Sequence, residues 1–364
     1  MKRLLQLFIF TVTLLSLTIF FSACQPAKEK PTAKHYVWMG EGQNHSTDFL
    51  TEIFSKLKDA GISGVMYQCP VDNYEQAVTI AHQNGLELHA WQTIMRHPEK
   101  ELLKNHPDWF TVSRDGKSTA TNPPYVDYYK WLCPTNKEVR NYLVNFVEKL
   151  ASIKGLDGVH LDYIRHSDVI LPIELWEKYD LVMDKEYPEF DFCYCDECCK
   201  RFEKETGIDP RTLKDTAPDN EAWRKFRYKT VTEVVDLLTE AVHKKGIKIT
   251  AAVFPTPTIS KTLVRQAWDK WSLDAYYPMN YNSFYEEKPQ WVEKACVEGV
   301  QAVGDKAELY SGLFVPALTP DEFRVAIKAS KKGGANGICI FTPYNMNDDH
   351  WAVLKEEIAQ WDKQ

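Results

Sequence analysis

From Tyr36 onward, short apolar runs alternate with longer stretches whose apolar positions recur every three to four residues. The short runs are HYVWM, GVMYQC, LELHAWQ, GVHLDYI, KITAAVF, LDAYYPM, AELYSGLFV and NGICIFT. They are rich in β-branched and aromatic side chains and read as eight strands. The longer stretches read as amphipathic helices. In TNKEVRNYLVNFVEKLASIKG, Val139, Leu143, Phe146, Leu150 and Ile153 share one helical face. Thr135 and Glu138 have the spacing of a capping box, and Gly155 is a stop signal. EAWRKFRYKTVTEVVDLLTEAVHKKG repeats the pattern with Val231, Val235, Leu238 and Val242. TPDEFRVAIKASKKGG opens with Thr319 as cap, Pro320 in the first helical position and Glu322 at the box position.

Strand and helix in strict alternation imply parallel strands joined by helical crossovers. Eight such units predict an α/β fold of the closed (β/α)8 TIM-barrel type. A doubly wound open sheet is the alternative, but no Gly-rich dinucleotide fingerprint supports it. Two connections are long, residues 93–134 after strand three and residues 166–220 after strand four. Both follow strand C-termini, where barrel enzymes build their sites.

The N-terminal segment changes the domain division. Lys2 and Arg3 precede a continuous apolar run that ends at Ser22, Ala23 and Cys24. This is the layout of a secretory signal, and small residues directly before a cysteine resemble a bacterial lipobox. The expected division is a signal peptide over residues 1–23, a flexible tether over 24–34 and one barrel domain over 35–364. Lipidation of Cys24 would anchor an exported protein to a membrane, on the periplasmic or cell-surface side. A plain signal or a spanning anchor are the other readings.

A net charge of −7 with no Lys/Arg cluster argues against a nucleic-acid partner. Much of the high aromatic content, 11 Trp and 18 Tyr, belongs to a core, and part of it could line a sugar site, because aromatic faces stack on the apolar faces of sugars. GVHLDYIRHSD puts His160 and Asp162 on one face of a buried strand. A carboxylate in a barrel interior is costly unless it is paired or reactive. Asp162, near the C-terminal end of strand four, is the candidate catalytic group; a structural Asp held by Arg165, His160 or loop N–H groups is the alternative. His160, one layer deeper, reads as a satisfied histidine orienting Asp162. Other strand ends carry Glu41; Tyr67, Gln68 and Asp72; His89, Trp91 and Gln92; Asn280 and Tyr281; Tyr310; and Tyr344 and Asn345. Converging on one face, they would form a polar cleft walled with aromatics, suited to a saccharide.

DGVHLDYIRH resembles the D-G-[IV]-H-[LF]-D-Y-I-R segment of the glycosyl hydrolase-like family ten, bacterial barrel proteins often exported as lipoproteins. LELHAWQTIMRHPEKELLKNHPDWFTVSRDGKS and WLCPTNKEVRNYLVNFVEKLA, which precede this segment, and FCYCDECCKRFEKETGIDP, WRKFRYKTVTEVV, LDAYYPMNY and GGANGICIFTPYN, which follow it, resemble that family's other landmarks in the same order. The resemblance implies a glycoside-hydrolase-type barrel with Asp162 as the expected catalytic carboxylate. It does not imply the xylanase pattern of glutamates on strands four and seven, because strand seven offers Tyr310, with Glu308 at its N-terminal end.

Glycoside hydrolysis usually needs two carboxyls. Asp162 is expected as nucleophile or base, kept ionised by Arg165 or another cation. Glu41 is the leading second carboxyl; Asp72, Asp168, Asp348 and Asp349 are further candidates, the last two reading as caps of the final helix. His160, Arg165, His89, Trp91, Tyr67, Gln68, Asn280, Tyr281 and Tyr344 are the candidate substrate-binding residues. The compact group Cys193, Cys195, Cys198 and Cys199 offers either a structural zinc site or disulfides; no cofactor is required for the expected reaction. Three functions follow: a glycosidase, a non-catalytic glycan-binding lipoprotein using the same cleft, and a metal-dependent hydrolase such as a deacetylase.

Overall fold

In the computed structural model, residues 33–40, 45–361 and 363 are described. Each apolar run forms a strand: β1 Tyr36–Met39, β2 Gly64–Tyr67, β3 Glu87–Thr93, β4 Gly158–Asp162, β5 Lys248–Val253, β6 Ala275–Pro278, β7 Glu308–Phe314 and β8 Gly337–Phe341. Neighbours in sequence pair in parallel, and β1 returns to β8 with Tyr36 opposite Cys339, closing the barrel. The (β/α)8 expectation is met.

Strand alternation splits the buried residues into two layers. Val37, Val65, Leu88, Val159, Leu161, Ile249 and Ile340 face outward beneath the helices. Tyr36, Trp38, Met66, Trp91, Tyr277 and Tyr310 fill the barrel. The Tyr36 and Tyr310 rings meet edge-on at 4.9 Å, and Tyr277 stacks on Tyr310 at 5.0 Å, so aromatic packing plugs the N-terminal half. Gly158 allows His89 to lie against β4, since a Cβ there would run into the His89 ring.

The helices follow the predicted faces with two corrections. Helix Lys137–Ala151 is capped by Asn136, whose Oδ1 accepts from the N–H groups of Glu138 and Val139; Thr135 is not the cap. That helix ends at Ala151, ahead of Gly155; Val139, Leu143 and Leu150 are buried on the predicted face, Phe146 and Ile153 pack half-buried against the core, and Val147 joins them. Val231, Val235, Leu238 and Val242 are buried as predicted, and the Thr319–Glu322 capping box forms around Pro320.

The two long connections pack together. Ser113 pairs with Phe192 in an isolated antiparallel bridge. Phe192, Tyr194, Phe202, Trp223 and Phe226 make a separate small core around the cysteine-rich insert. Asp191, fully buried, accepts from Arg227 and from the Tyr194 hydroxyl. The signal peptide, Cys24, residues 25–32 of the tether and Glu41 lie outside the described residues. The last tether residue belongs with the barrel: Lys34 pairs with Glu87 at 2.6 Å, so the folded unit begins slightly before residue 35.

Candidate active site

At the C-terminal face lies a cavity of about 610 Å³, within the range that holds small organic ligands. All eight strands or the residues directly after them contribute to its wall, including Trp38, Gln68, Trp91, Asp162, Phe254, Tyr281, Phe314 and Phe341. Arg96 and Tyr129 enter from the connection after β3, and Tyr163, Arg165 and Asp168 from the connection after β4. The result is a largely aromatic cleft with a few polar groups.

Asp162 is the last residue of β4 and faces this cavity. Its relative exposure is 8%, so the carboxyl is mostly withdrawn from water yet reachable from the cleft. Trp91, one strand over, donates its indole N–H to Oδ2 at 3.0 Å. Tyr163 donates its backbone N–H to Oδ1 at 2.6 Å. Tyr163 itself has φ 50, a left-handed conformation that costs a non-glycine residue energy. It turns the chain sharply at the strand end. Burial raises the Asp162 pKa above its ordinary value of 3.8, against the opposing pull of these two donors and of Arg165 and Arg96.

One expectation holds in part and another is corrected: the Arg165 charge favours the ionised form of Asp162, but only from a distance. Arg165 does not pair with Asp162: it forms an ion pair with Asp168 at 3.0 Å, donates to the His166 carbonyl, and lies against the Trp131 and Phe254 rings. Nor does His160 orient Asp162. Its Nε2 accepts from Trp38 Nε1 at 2.9 Å, and its Nδ1 lies 2.8 Å from Thr250 Oγ1. Because the indole can only donate, Nε2 carries no proton, and the neutral ring donates from Nδ1 to Thr250. Burial drives the His160 pKa well below 6.5. His160 is the satisfied interior histidine, but its role is to seat Trp38 beneath the cleft.

Of the other predicted residues, Gln68, Trp91 and Tyr281 line the cavity. Tyr67 points outward, its hydroxyl 3.0 Å from His45 Nδ1. Asn280 also points outward and donates to Ser311 Oγ. Tyr344 is partly exposed and its hydroxyl accepts from the Gly40 N–H. His89 and Tyr310 sit at the opposite, N-terminal end, where they border a second cavity of about 630 Å³ rimmed by Lys248, Asp274 and Glu308. His89 Nε2 lies 3.2 Å from Glu87 there. Asp72 is exposed in a short 3-10 turn, and Asp348 and Asp349 occupy the first turn of a helix that Asn347 caps. Sequence reasoning missed Trp38, Thr93, Arg96 and Tyr163. Arg96 Nε is buried with no hydrogen-bond partner among the described residues. Its only signal was its place in the conspicuous segment after β3.

The cysteines also regroup. Cys199 donates to the Tyr194 carbonyl and stands apart. Cys133, from the connection after β3, joins Cys193, Cys195 and Cys198, with the four Sγ atoms within 4.8 Å of one another. No described cysteine is in a disulfide.

Residues 65–303 match the model of the family described as Glycosyl hydrolase-like 10. Among solved structures, the glycoside hydrolase domain of PgaB (BpsB) from Bordetella bronchiseptica superposes with a TM-score of 0.66 at 12% identity, covering 91% of this chain and 98% of that one. The catalytic domain of beta-amylase from Paenibacillus polymyxa gives 0.62 at 10% identity, covering 90% and 98%. At such identities these likenesses concern the fold. An alpha-1,4-glucan:maltose-1-phosphate maltosyltransferase from Bifidobacterium longum is 25% identical over 130 residues, which span 34% of this chain and only 16% of that relative. With a closed eightfold barrel, a cleft at its C-terminal face and a family match over most of its length, this chain belongs to the Glycosyl hydrolase-like 10 family.

Proposed function

We propose that the protein is a glycoside hydrolase acting on a poly- or oligosaccharide, with Asp162 as its proton donor rather than the ionised nucleophile or base expected from the sequence, because burial raises its pKa. The observation that carries this reading is a carboxyl that lines the cleft, is sheltered from water and holds its proton more tightly than usual. Such a group suits the general acid that protonates the leaving oxygen as the glycosidic C–O bond breaks. The aromatic wall suits sugar faces, while Gln68 and Arg96 offer donors to hydroxyls. The family and the hydrolase domains of similar fold support the same reaction class.

A second carboxylate must activate water or attack the anomeric carbon. Asp168 is committed to Arg165, so we assign this role to Glu41, which follows Gly40 just beyond β1. A lipid on Cys24 would hold the enzyme outside the cytoplasm, where surface polysaccharides are the natural substrate class. The commitment of Asp168 also favours a second reading, a glycan-binding lipoprotein that does not cleave.

The test is a glycan panel offered to the wild type and to Asp162→Asn. Release of reducing ends by the wild type alone is the expected result. Binding by both proteins without release would contradict hydrolysis and establish the second reading.

A further inference from the structure

We propose that Cys133, Cys193, Cys195 and Cys198 hold a structural zinc ion that ties together the two long connections bordering the cleft. Three of the ligands come from the C-x-C-x-x-C run of the insert after β4, and the fourth from the connection after β3. Cys133 Sγ lies 3.4 Å from Cys195 Sγ and 3.5 Å from Cys198 Sγ, and all four sulfurs fall within 4.8 Å of one another. A tetrahedral site with Zn–S bonds of about 2.3 Å has sulfur–sulfur edges of roughly 3.8 Å. The cluster is close to that size. The sulfur separations are far longer than the roughly 2.05 Å of a disulfide.

Buried cysteines often act simply as small apolar side chains. That reading leaves the convergence of four thiols, one drawn from 62 residues away, without a cause. It also does not account for their surroundings. Cys195 is the N-cap of helix Asp196–Thr206 and Cys198 lies in its first turn, where the helix dipole favours thiolates. Thr135 Oγ1 stands 3.1 Å from Cys198 Sγ and is placed to donate to a thiolate, as the outer partners of metal ligands do. Cys133, Cys193 and Cys198 are almost fully buried while Cys195 is partly open, giving a closed site with one accessible side. Four protein ligands leave no position for substrate or water, so the ion's task is mechanical. It fastens Cys133, close to Tyr129 on the cleft wall, to the insert whose chain begins at Tyr163 and Arg165.

The test is elemental analysis of the full-length protein with titration of its thiols, for the wild type, Cys133→Ser, Cys195→Ser and Cys199→Ser. One zinc per chain is expected in the wild type and in Cys199→Ser, with a loss of at least tenfold in occupancy in the other two variants. If the Cys133 variant does not fold, cobalt reloading of chelator-stripped wild type decides: it should produce the ligand-field and charge-transfer bands of a tetrahedral thiolate site. Metal-free wild type that takes up no cobalt, iron in place of zinc, disulfides among these four cysteines, or equal zinc loss in Cys199→Ser would each overturn the assignment.

Discussion

The Trp91 indole N–H meets Asp162 Oδ2 at 3.0 Å, joining the ends of β3 and β4 at the floor of the cleft. This bond stabilises the ionised carboxylate and lowers a pKa that burial has raised. Replacing Trp91 with Phe keeps an aromatic ring and removes the donor. The Asp162 pKa then rises further, so the protonated, acid-competent form persists to higher pH. The basic limb of the kcat/KM profile is expected to move upward, as measured across pH on a substrate identified from the glycan panel. An unmoved or lowered limb would separate this bond from the proton donor.

A carboxyl whose pKa is raised on folding contributes stability that is fully present below its ordinary value, 3.8, and lost as pH rises through its folded value. At neutral pH and above, the buried charge of Asp162 is therefore a cost. Asp162→Asn is expected to melt at or above the wild-type temperature at pH 8, while losing activity. Calorimetry at pH 8 checks this; a clear fall in melting temperature would show a structural rather than a reactive carboxyl.

His160 works in the opposite sense. Its pKa is depressed by burial, so its contribution is intact above 6.5 and is lost as pH falls below that value. The unfolded chain takes up a proton that the folded ring refuses, which costs about 1.4 kcal/mol for each pH unit in that window. His160→Gln retains an acceptor for Trp38 Nε1 and cannot titrate. Its urea-unfolding free energy is expected to fall less steeply between pH 6 and 5 than that of the wild type, by about one proton's worth of slope.

Arg165 and Asp168 are buried together on the cleft wall. Asp168→Leu alone strands a buried guanidinium and is expected to cost about 3–5 kcal/mol of stability. The double variant Arg165→Met/Asp168→Leu removes both charges and should recover much of that loss. Denaturant unfolding of the two single variants and the double variant measures the coupling. Additive losses would show that the pair does not act as a unit.

The barrel was legible because two periodicities alternate along the chain, and parallel closure follows from eight repeats of that pattern. Legibility ended where distance along a strand or contact between distant segments decides the outcome. His89 and Tyr310 face inward as expected, but each is the third residue of a seven-residue strand and so lies deep rather than at the mouth. Tyr67 and Asn280 failed on parity: Met66 and Gln68 face in, so Tyr67 faces out, and Met279 and Tyr281 do the same to Asn280. Arg165 stands three residues from Asp162 in sequence, yet the sharp turn at Tyr163 carries it to Asp168. Thr135 has the spacing of a cap, but Asn136 caps the helix and the Thr135 hydroxyl faces Cys198. Cys133 joins the insert's cysteines only through pairing between two long connections, which no local pattern announces.

Proton delivery from Asp162 to the leaving oxygen is the proposal on which the function rests. Its most direct test compares wild type and Asp162→Asn on the natural glycan and on a dinitrophenyl glycoside of the same sugar, whose leaving group needs no proton. The expected fall in kcat is about 10²–10⁴-fold on the glycan and far smaller on the activated substrate. Equal losses on both substrates, or an undiminished rate on the glycan, would contradict it.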